Sequence, residues 1–98
     1  MDLEKIKIKL REFAEERDWN KFHSPKNLSM ALTVEASELL ELFQWKTEKE
    51  SNEIYNDEKF QDVKEEVADI ALYLIRLSDI LNINLEEEIF KKISKNQE

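Results

Sequence analysis

The sequence contains no cysteine among its 98 residues. This absence excludes disulfides, thiolate nucleophiles, zinc–thiolate sites and iron–sulfur clusters, and it fits a reducing compartment. The N-terminal stretch MDLEKIKIKLREF has no apolar run of signal-peptide length, and nowhere do 18 consecutive apolar residues occur that could cross a bilayer. We therefore expect a cytoplasmic protein that has no membrane partner.

Glycine is also absent, which excludes the glycine-rich phosphate cradles of the P-loop and of the dinucleotide-binding fingerprint. Any phosphate must therefore be held by side chains or by a metal ion. The 15 basic and 23 acidic residues give a formal net charge of −8, which is the wrong sign for holding a nucleic-acid backbone. We expect no nucleic-acid partner.

The apolar periodicity predicts an all-α protein, and no strand pattern competes with it. We expect a single domain over residues 1–98, built as a four-helix bundle-like subunit with two long central helices. The predicted helices span about 2–17, 25–45, 58–81 and a short segment that begins after Asn84. Asp2, Ser24 and Asn84 are the predicted N-caps of the first, second and fourth helices. The polar segment 46–57 has no clear period and predicts a mobile connection of uncertain structure.

The third predicted helix is apolar on two faces, which predicts two packing partners. One partner can be the rest of the subunit, and in so short a chain we expect the other to be a second subunit. The first face comprises Val63, Val67, Ile70, Leu74, Leu77 and Leu81, and the second comprises Ala68, Leu72 and Ile75.

The stretch TVEASELLELFQW, residues 33–45, places an acid where a core residue is expected. On a helical wheel Glu35 is central to a leucine face, Glu38 borders that face, and Trp45 lies near Glu38 two turns later. An ionised carboxylate withdrawn from water costs several kcal/mol unless it is paired, hydrogen-bonded or bound to a metal. The segment therefore predicts a compensating cation.

A second acidic pair, Glu66 and Asp69, lies on one face of the third helix at the border of its apolar stripe. If the second and third helices pack antiparallel, four carboxylates converge, and they cannot all stay ionised without cations. Ligation by oxygen alone suits magnesium, manganese or calcium. The only histidine, His23, is not part of a Glu-x-x-His pair, which disfavours a di-iron centre. Acid pairs also arise by chance in a chain that is 39% charged, so a solvated helix face remains the alternative.

Three stretches, in this order, resemble the all-α nucleoside triphosphate pyrophosphohydrolases of the MazG-like and dCTP pyrophosphatase group: RDWNKFHSPKNL at 17–28, EASELLELFQWK at 35–46 and EEVADIALYLIRL at 65–77. The family's metal signature is Glu-x-x-Glu followed by Glu-x-x-Asp. The resemblance implies that Glu35, Glu38, Glu66 and Asp69 bind Mg²⁺, with Mn²⁺ as a substitute ion.

The resemblance also implies which residues contact the substrate. Aromatic rings can stack on a base, and a lysine and an asparagine four residues apart in the last helix can reach the phosphates. The implied residues are Trp19, Phe22, His23, Trp45, Tyr73, Lys92 and Asn96. The aromatic residues also fit a purely structural role in the core, and His23 fits an exposed loop residue. Leu10 stands where the animal dCTP pyrophosphatases carry a histidine near the base, so the resemblance does not imply cytosine selectivity.

The predicted function is Mg²⁺-dependent hydrolysis of a ribo- or deoxyribonucleoside triphosphate to the monophosphate and pyrophosphate, as in the cleaning of nucleotide pools. Candidate substrates include dCTP and modified nucleotides, and Glu38 is the predicted catalytic base. We expect a homotetramer built as a dimer of dimers. Two alternatives stay open, a broader phosphohydrolase that acts on several triphosphates and a non-catalytic acidic helical interaction module.

Overall fold

A computed structural model describes residues 1–97. These residues form five α-helices and two single 3₁₀ turns and contain no β-strand, which confirms the all-α prediction. The elements are α1 (Leu3–Glu16), a 3₁₀ turn (Asn20–Phe22), α2 (Pro25–Glu41), α3 (Glu48–Asn52), a second 3₁₀ turn (Ile54–Asn56), α4 (Phe60–Ile80) and α5 (Leu85–Asn96).

Three helices begin at side chains that cap the first turn. Asp2, Ser24 and Asn84 each accept a hydrogen bond, 3.1 Å long, from the backbone N–H three residues later. These bonds satisfy N–H groups that have no partner within the helix. Pro25 occupies the first position of α2, where its missing N–H costs nothing. The three N-caps predicted from the sequence are confirmed.

Two helices end in a left-handed residue although the chain has no glycine. Asp18 after α1 and Asn82 after α4 have φ values of 55° and 56°. The next residues, Trp19 and Ile83, donate their N–H groups over 2.8 Å to carbonyls five residues earlier, which is the Schellman arrangement. Asp and Asn tolerate this conformation better than other residues that carry a Cβ atom. The turn after α1 brings Trp19 back against the helix that precedes it.

The connection between α2 and α4 is more ordered than the sequence predicted. A reciprocal capping box begins α3: the Thr47 hydroxyl accepts from the Glu50 N–H over 3.1 Å, and the Glu50 carboxylate accepts from the Thr47 N–H over 2.8 Å. The ammonium of Lys46 also contacts Asp57 across the segment at 2.8 Å. Polar local bonds therefore give this stretch a structure that apolar periodicity could not reveal.

The pair α2 and α4 forms the main packing contact, and α1 packs against α4. The two central helices are antiparallel, because His23, just before α2, bonds to Arg76 near the end of α4, whereas Leu42, just after α2, borders the same cleft as Asp62 at the start of α4. The buried apolar residues are Ala14, Leu28, Val63 and Ile75.

The buried side of α4 takes residues from both predicted faces. Val63 from the first face and Ile75 from the second are buried, whereas Val67, Leu74 and Leu81 from the first face are exposed. The reason is that α1 and α2 cover the side of α4 that carries Ile75. The three exposed residues recur every seven positions and form one apolar stripe that residues 1–97 leave partly uncovered.

The described chain is extended for its length. Its radius of gyration is 15.9 Å, against about 13 Å for a compact 100-residue domain. Helix α5 has no substantial packing contact with the other helices, and its apolar residues Ile89, Phe90 and Ile93 are exposed. Within residues 1–97, none of the helices combines the length and the apolar character needed to span a membrane.

Candidate functional site

Three glutamates from the two central helices meet at the α2–α4 interface. Glu35 and Glu38 come from α2 and Glu66 comes from α4, and each contributes a carboxylate oxygen to a group whose atoms all lie within 4.8 Å of one another. Glu35 and Glu66 are half-buried, whereas Glu38 is exposed at the edge. The structure thus places Glu35 on the inward leucine face of α2, as the wheel predicted.

The cluster contains two buried oxygens that lack a partner. Within the described part of the chain, Oε2 of Glu35 and Oε2 of Glu66 are inaccessible to solvent and accept no hydrogen bond. Such atoms are costly unless a cation compensates them. Two oxygens on opposite sides of Mg²⁺ are about 4 Å apart, since each lies about 2.1 Å from the ion. The oxygen donors and their spacing therefore fit a small divalent cation.

The electrostatics of the cluster also favour a bound cation. The pKa of Glu66 is raised to about 7, first because its protonated carboxyl hydrogen-bonds to Glu35, then because of burial and because of repulsion from Glu35 and Glu38. Without a metal ion the three acids therefore hold a proton at a pH where free glutamates have lost it. A divalent ion can replace that proton.

Asp69 lies outside the group of three. It is one helical turn beyond Glu66 on α4, and it lines a separate cavity of about 160 Å³. Pockets that hold a whole ligand usually measure roughly 300–1,000 Å³, so this cavity can accommodate only a fragment, such as one ring system. Its lining residues are Leu10, Phe13, Trp19, His23, Asp69, Leu72, Tyr73 and Arg76.

The cavity is framed by aromatic rings that the end of α1 and the following turn hold in place. The rings of Phe13 and Trp19 meet edge to face, with centroids 5.3 Å apart, and the His23 ring lies 6.2 Å from Trp19. The Arg17 guanidinium covers Phe13 at 3.6 Å from the ring centroid. Contacts of these kinds are attractive and fix ring orientation. Trp19, His23 and Tyr73, all predicted as substrate contacts, therefore line one cavity with Asp69.

Arg76 is a residue of this cavity that the sequence reasoning missed. It is 8% exposed, and it donates from Nε to His23 Nδ1 over 3.1 Å and from Nη2 to Asn20 Oδ1 over 2.7 Å. Burial, and then the positive charge of Arg76, lower the pKa of His23. An arginine inside the apolar run YLIRL was the available signal, because buried arginines need partners.

The other predicted substrate residues lie elsewhere in the subunit. Trp45 is not on the helix, because the chain leaves α2 after Glu41 and the N–H groups of Phe43 and Gln44 both turn back to the Leu40 carbonyl. The side chain of Trp45 is 88% exposed and borders a different cleft. The wheel position of Trp45 beside Glu38 was therefore wrong.

Phe22 is exposed on the 3₁₀ turn, and Lys92 and Asn96 are exposed on α5. None of these three residues lines the aromatic cavity. Residues 1–97 of one chain thus bring together three of the four predicted metal ligands and, in a separate cavity, three of the seven predicted substrate contacts.

Comparison with known proteins gives consistent matches. Residues 30–98 match the MazG-like family. The dCTP pyrophosphatase 1 of Rattus norvegicus is 37% identical over 97 residues, and that of Homo sapiens is 38% identical over 96 residues. These alignments cover 98% and 97% of this chain but only 57% and 56% of the two relatives, so the chain spans little more than half of their length.

A solved structure is also similar. The crystal structure of a pyrophosphatase from Archaeoglobus fulgidus DSM 4304 superposes with a TM-score of 0.91 at 40% identity. The superposition covers 99% of this chain and 90% of the other. The two chains share one fold over almost their whole length.

The raised pKa of Glu66 predicts a pH effect on the metal-free protein. Because the folded state holds a proton that the unfolded state loses near pH 4.5, the stability that Glu66 contributes is lost as the pH rises towards 7. In a chelator, the melting temperature of Glu66→Gln minus that of the parent should therefore increase between pH 5 and pH 8. Calorimetry measures the two melting temperatures at each pH. Glu12→Gln, at an exposed position, is the control, and the same increase in its melting temperature relative to the parent would refute the raised pKa of Glu66.

Proposed function

Because the chain belongs to the MazG-like family, we propose that residues 1–98 form one Mg²⁺-dependent unit that hydrolyses a nucleoside triphosphate to the monophosphate and pyrophosphate. The observation that carries this proposal is the acid cluster beside the aromatic cavity. Glu66, Asp69, Tyr73 and Arg76 follow one another at spacings of three and four residues, so they share one stripe of α4. The stripe is about 15 Å long.

The acid cluster supplies the metal site in this proposal. Glu35, Glu38 and Glu66 are the ligands that the geometry supports, and the orphaned oxygens of Glu35 and Glu66 are the atoms that gain most from a cation. Asp69, one turn further along α4, is proposed as the fourth ligand. When bound, Mg²⁺, or Mn²⁺ in its place, supplies positive charge against the phosphate oxygens and lowers the pKa of a bound water.

Glu38 is proposed as the catalytic base, since it is the exposed member of the cluster and can meet solvent. Its carboxylate accepts a proton from the attacking water. The water oxygen forms a bond to the α-phosphorus, the bond from that phosphorus to the bridging oxygen breaks, and pyrophosphate leaves with the electron pair. Glu35 and Glu66 hold the ion and take no part in the proton transfer.

The aromatic cavity is proposed to receive the base. Trp19 and Tyr73 offer rings for stacking, a contact worth roughly 1 to 3 kcal/mol for each base. The sugar and phosphates then lie outside this small cavity, towards Asp69 and the acid cluster. The two curated relatives are dCTP pyrophosphatases by name, so dCTP and modified nucleotides are candidate substrates, and removal of surplus or non-standard nucleotides from the cytoplasmic pool is the proposed role.

We also propose that the protein is a homotetramer built as a dimer of dimers. The apolar stripe Val67, Leu74 and Leu81 and the exposed face of α5 both support this, as does the extended shape of one subunit. Pairing would complete a four-helix bundle from the central helices of two subunits. It would also allow Trp45, Phe22, Lys92 and Asn96 to serve a site on a neighbouring subunit.

The proposed reaction predicts that Glu35→Gln loses at least about a hundredfold in rate, because losing or displacing a metal ion removes several kcal/mol of transition-state stabilisation. The parent should convert deoxynucleoside triphosphates to monophosphate and pyrophosphate, resolved by chromatography. Glu12→Gln, which removes the same charge from α1, should retain the parental rate.

The stability of the same variant separates the proposal from a non-catalytic interaction module. In chelator, Glu35→Gln should melt at or above the parental temperature because it relieves repulsion, and it should gain less than the parent from added Mg²⁺. An interaction module has no Mg²⁺-dependent melting shift in either protein. Diphosphate and phosphate as products, or full activity in Glu35→Gln, would exclude the proposed reaction.

The proposed assembly predicts a mass near four times 11.8 kDa in light scattering at micromolar concentration. Leu74→Glu places a charge in the exposed stripe of α4 and should lower that mass, since a buried unpaired charge is costly at an interface. Glu12→Lys also changes the charge of an exposed position, on α1, and should leave the mass unchanged. A parental mass near that of one chain would disprove the assembly.

A further inference from the structure

Arg76 has hydrogen-bond donors that the fold does not use. Its Nε and Nη2 atoms hold His23 and Asn20, but Nη1 lies 3.7 Å from Asp79 Oδ2, outside hydrogen-bond distance. A guanidinium carries five N–H donors and no acceptor. Arg76 therefore keeps N–H groups that make no hydrogen bond within residues 1–97, and it carries a positive charge at the wall of the cavity that it lines.

The charge of Arg76 is only partly compensated. Asp79, the nearest acid, already receives two hydrogen bonds from Arg11, of 2.7 Å from Nε and 2.6 Å from Nη2. These bonds are the main reason that the pKa of Asp79 is lowered. Two arginines therefore share one carboxylate, and Arg11 holds it in the bidentate geometry that is stronger. The remaining positive charge lies where Arg76, near the C-terminal end of α4, lines the cavity.

His23 adds a second donor at the same end. Its Nδ1 accepts from Arg76, so the neutral ring must carry its proton on Nε2. Burial and the charge of Arg76 lower the pKa of His23, which favours this neutral form. The carboxylate of Asp69 lies at the opposite end, because seven residues of α4, about 10 Å, separate it from Arg76.

We propose that Arg76, together with His23, selects bases that present a carbonyl oxygen at this end of the cavity over bases that present an amino group there. The inference rests on the proposed function, because it assigns the cavity to the base. A carbonyl at position 4 of uracil or thymine, or at position 6 of guanine or hypoxanthine, accepts from these donors. The amino group of cytosine or adenine is itself a donor, so it would face the donors of Arg76 and His23. Neither side could then replace the hydrogen bonds that it makes with water before binding.

Uracil and cytosine give the sharpest comparison, because the two rings have the same size and differ at position 4 and in the proton on the adjacent nitrogen. Shape, stacking and phosphate binding then cancel in the ratio of their rates. A good pair of hydrogen bonds to a base edge discriminates against the wrong base by roughly 5- to 150-fold. The parent should therefore have a kcat/KM for dUTP at least about tenfold above that for dCTP.

Variants separate base reading from a purely structural role of Arg76. Arg76→Gln replaces the cation by an amide that offers both a donor and an acceptor, so the dUTP:dCTP ratio should fall to within about threefold of unity. Arg76→Lys keeps the positive charge and offers three N–H donors in place of five, and it should retain a preference for dUTP. Lys21→Gln removes a positive charge from an exposed position on the 3₁₀ turn that carries Asn20, the hydrogen-bond partner of Arg76. This variant should leave the dUTP:dCTP ratio at the parental value.

Binding of the reaction products provides a readout that does not need turnover. Calorimetry of dUMP and dCMP with the parent and Arg76→Gln should show the same preference and the same loss. If the parent hydrolyses no triphosphate but binds dUMP in preference to dCMP through Arg76, the proposed reaction fails and the base assignment stands. Three results would overturn the base assignment. They are equal affinity of the parent for dUMP and dCMP, a parental preference for dCTP over dUTP, and an Arg76→Gln protein that is folded by circular dichroism and keeps the parental dUTP:dCTP ratio.

Discussion

The structure depends on the contact between acids of α2 and α4. Glu35 lies within a leucine face, which would ordinarily be a costly position for a charge. It meets Glu66 across the interface, and one buried oxygen of each has no hydrogen-bond partner in the described part of the chain. The central packing contact of the fold therefore has a repulsive centre in the absence of a cation. A proton, as the raised pKa of Glu66 shows, is one solution, and a divalent ion is the other.

The sequence predicted those features that depend on short-range rules. The three N-caps need only one polar side chain before an apolar period, and the inward position of Glu35 follows from the spacing of its leucines. The residues of the α3 capping box are also visible in the sequence. The segment has no apolar stripe, however, so hydrophobic periodicity did not predict a helix there. Helix ends were harder, since the turn after Glu41 moved Trp45 off the predicted face.

Features that depend on tertiary contacts could not be predicted in the same way. Arg76 is buried because Asn20 and His23, separated from it by 56 and 53 residues, supply its hydrogen-bond partners. Nothing local to α4 indicates them. Which face of α4 is covered was also undetermined, because two apolar faces compete and only the positions of α1 and α2 decide between them.

Helix α4 connects the two ends of the candidate site. Its first half carries Glu66 in the acid cluster and its second half carries Arg76 in the aromatic cavity, so one rigid element sets the distance between them. The Schellman turn after α1 holds Trp19 and His23 against that second half. A nucleotide has the same polarity, with a flat base at one end and charged phosphates at the other.

The central claim, that these acids bind a divalent cation, is tested most directly by a crystal structure grown with Mn²⁺. The anomalous signal of manganese identifies the ion independently of any activity. The account predicts a peak about 2.2 Å from carboxylate oxygens of Glu35, Glu38 and Glu66, with Asp69 turned towards it. A structure at high Mn²⁺ concentration that has no peak between α2 and α4, and in which carboxylate oxygens of Glu35 and Glu66 lie within hydrogen-bond distance of each other, would contradict it.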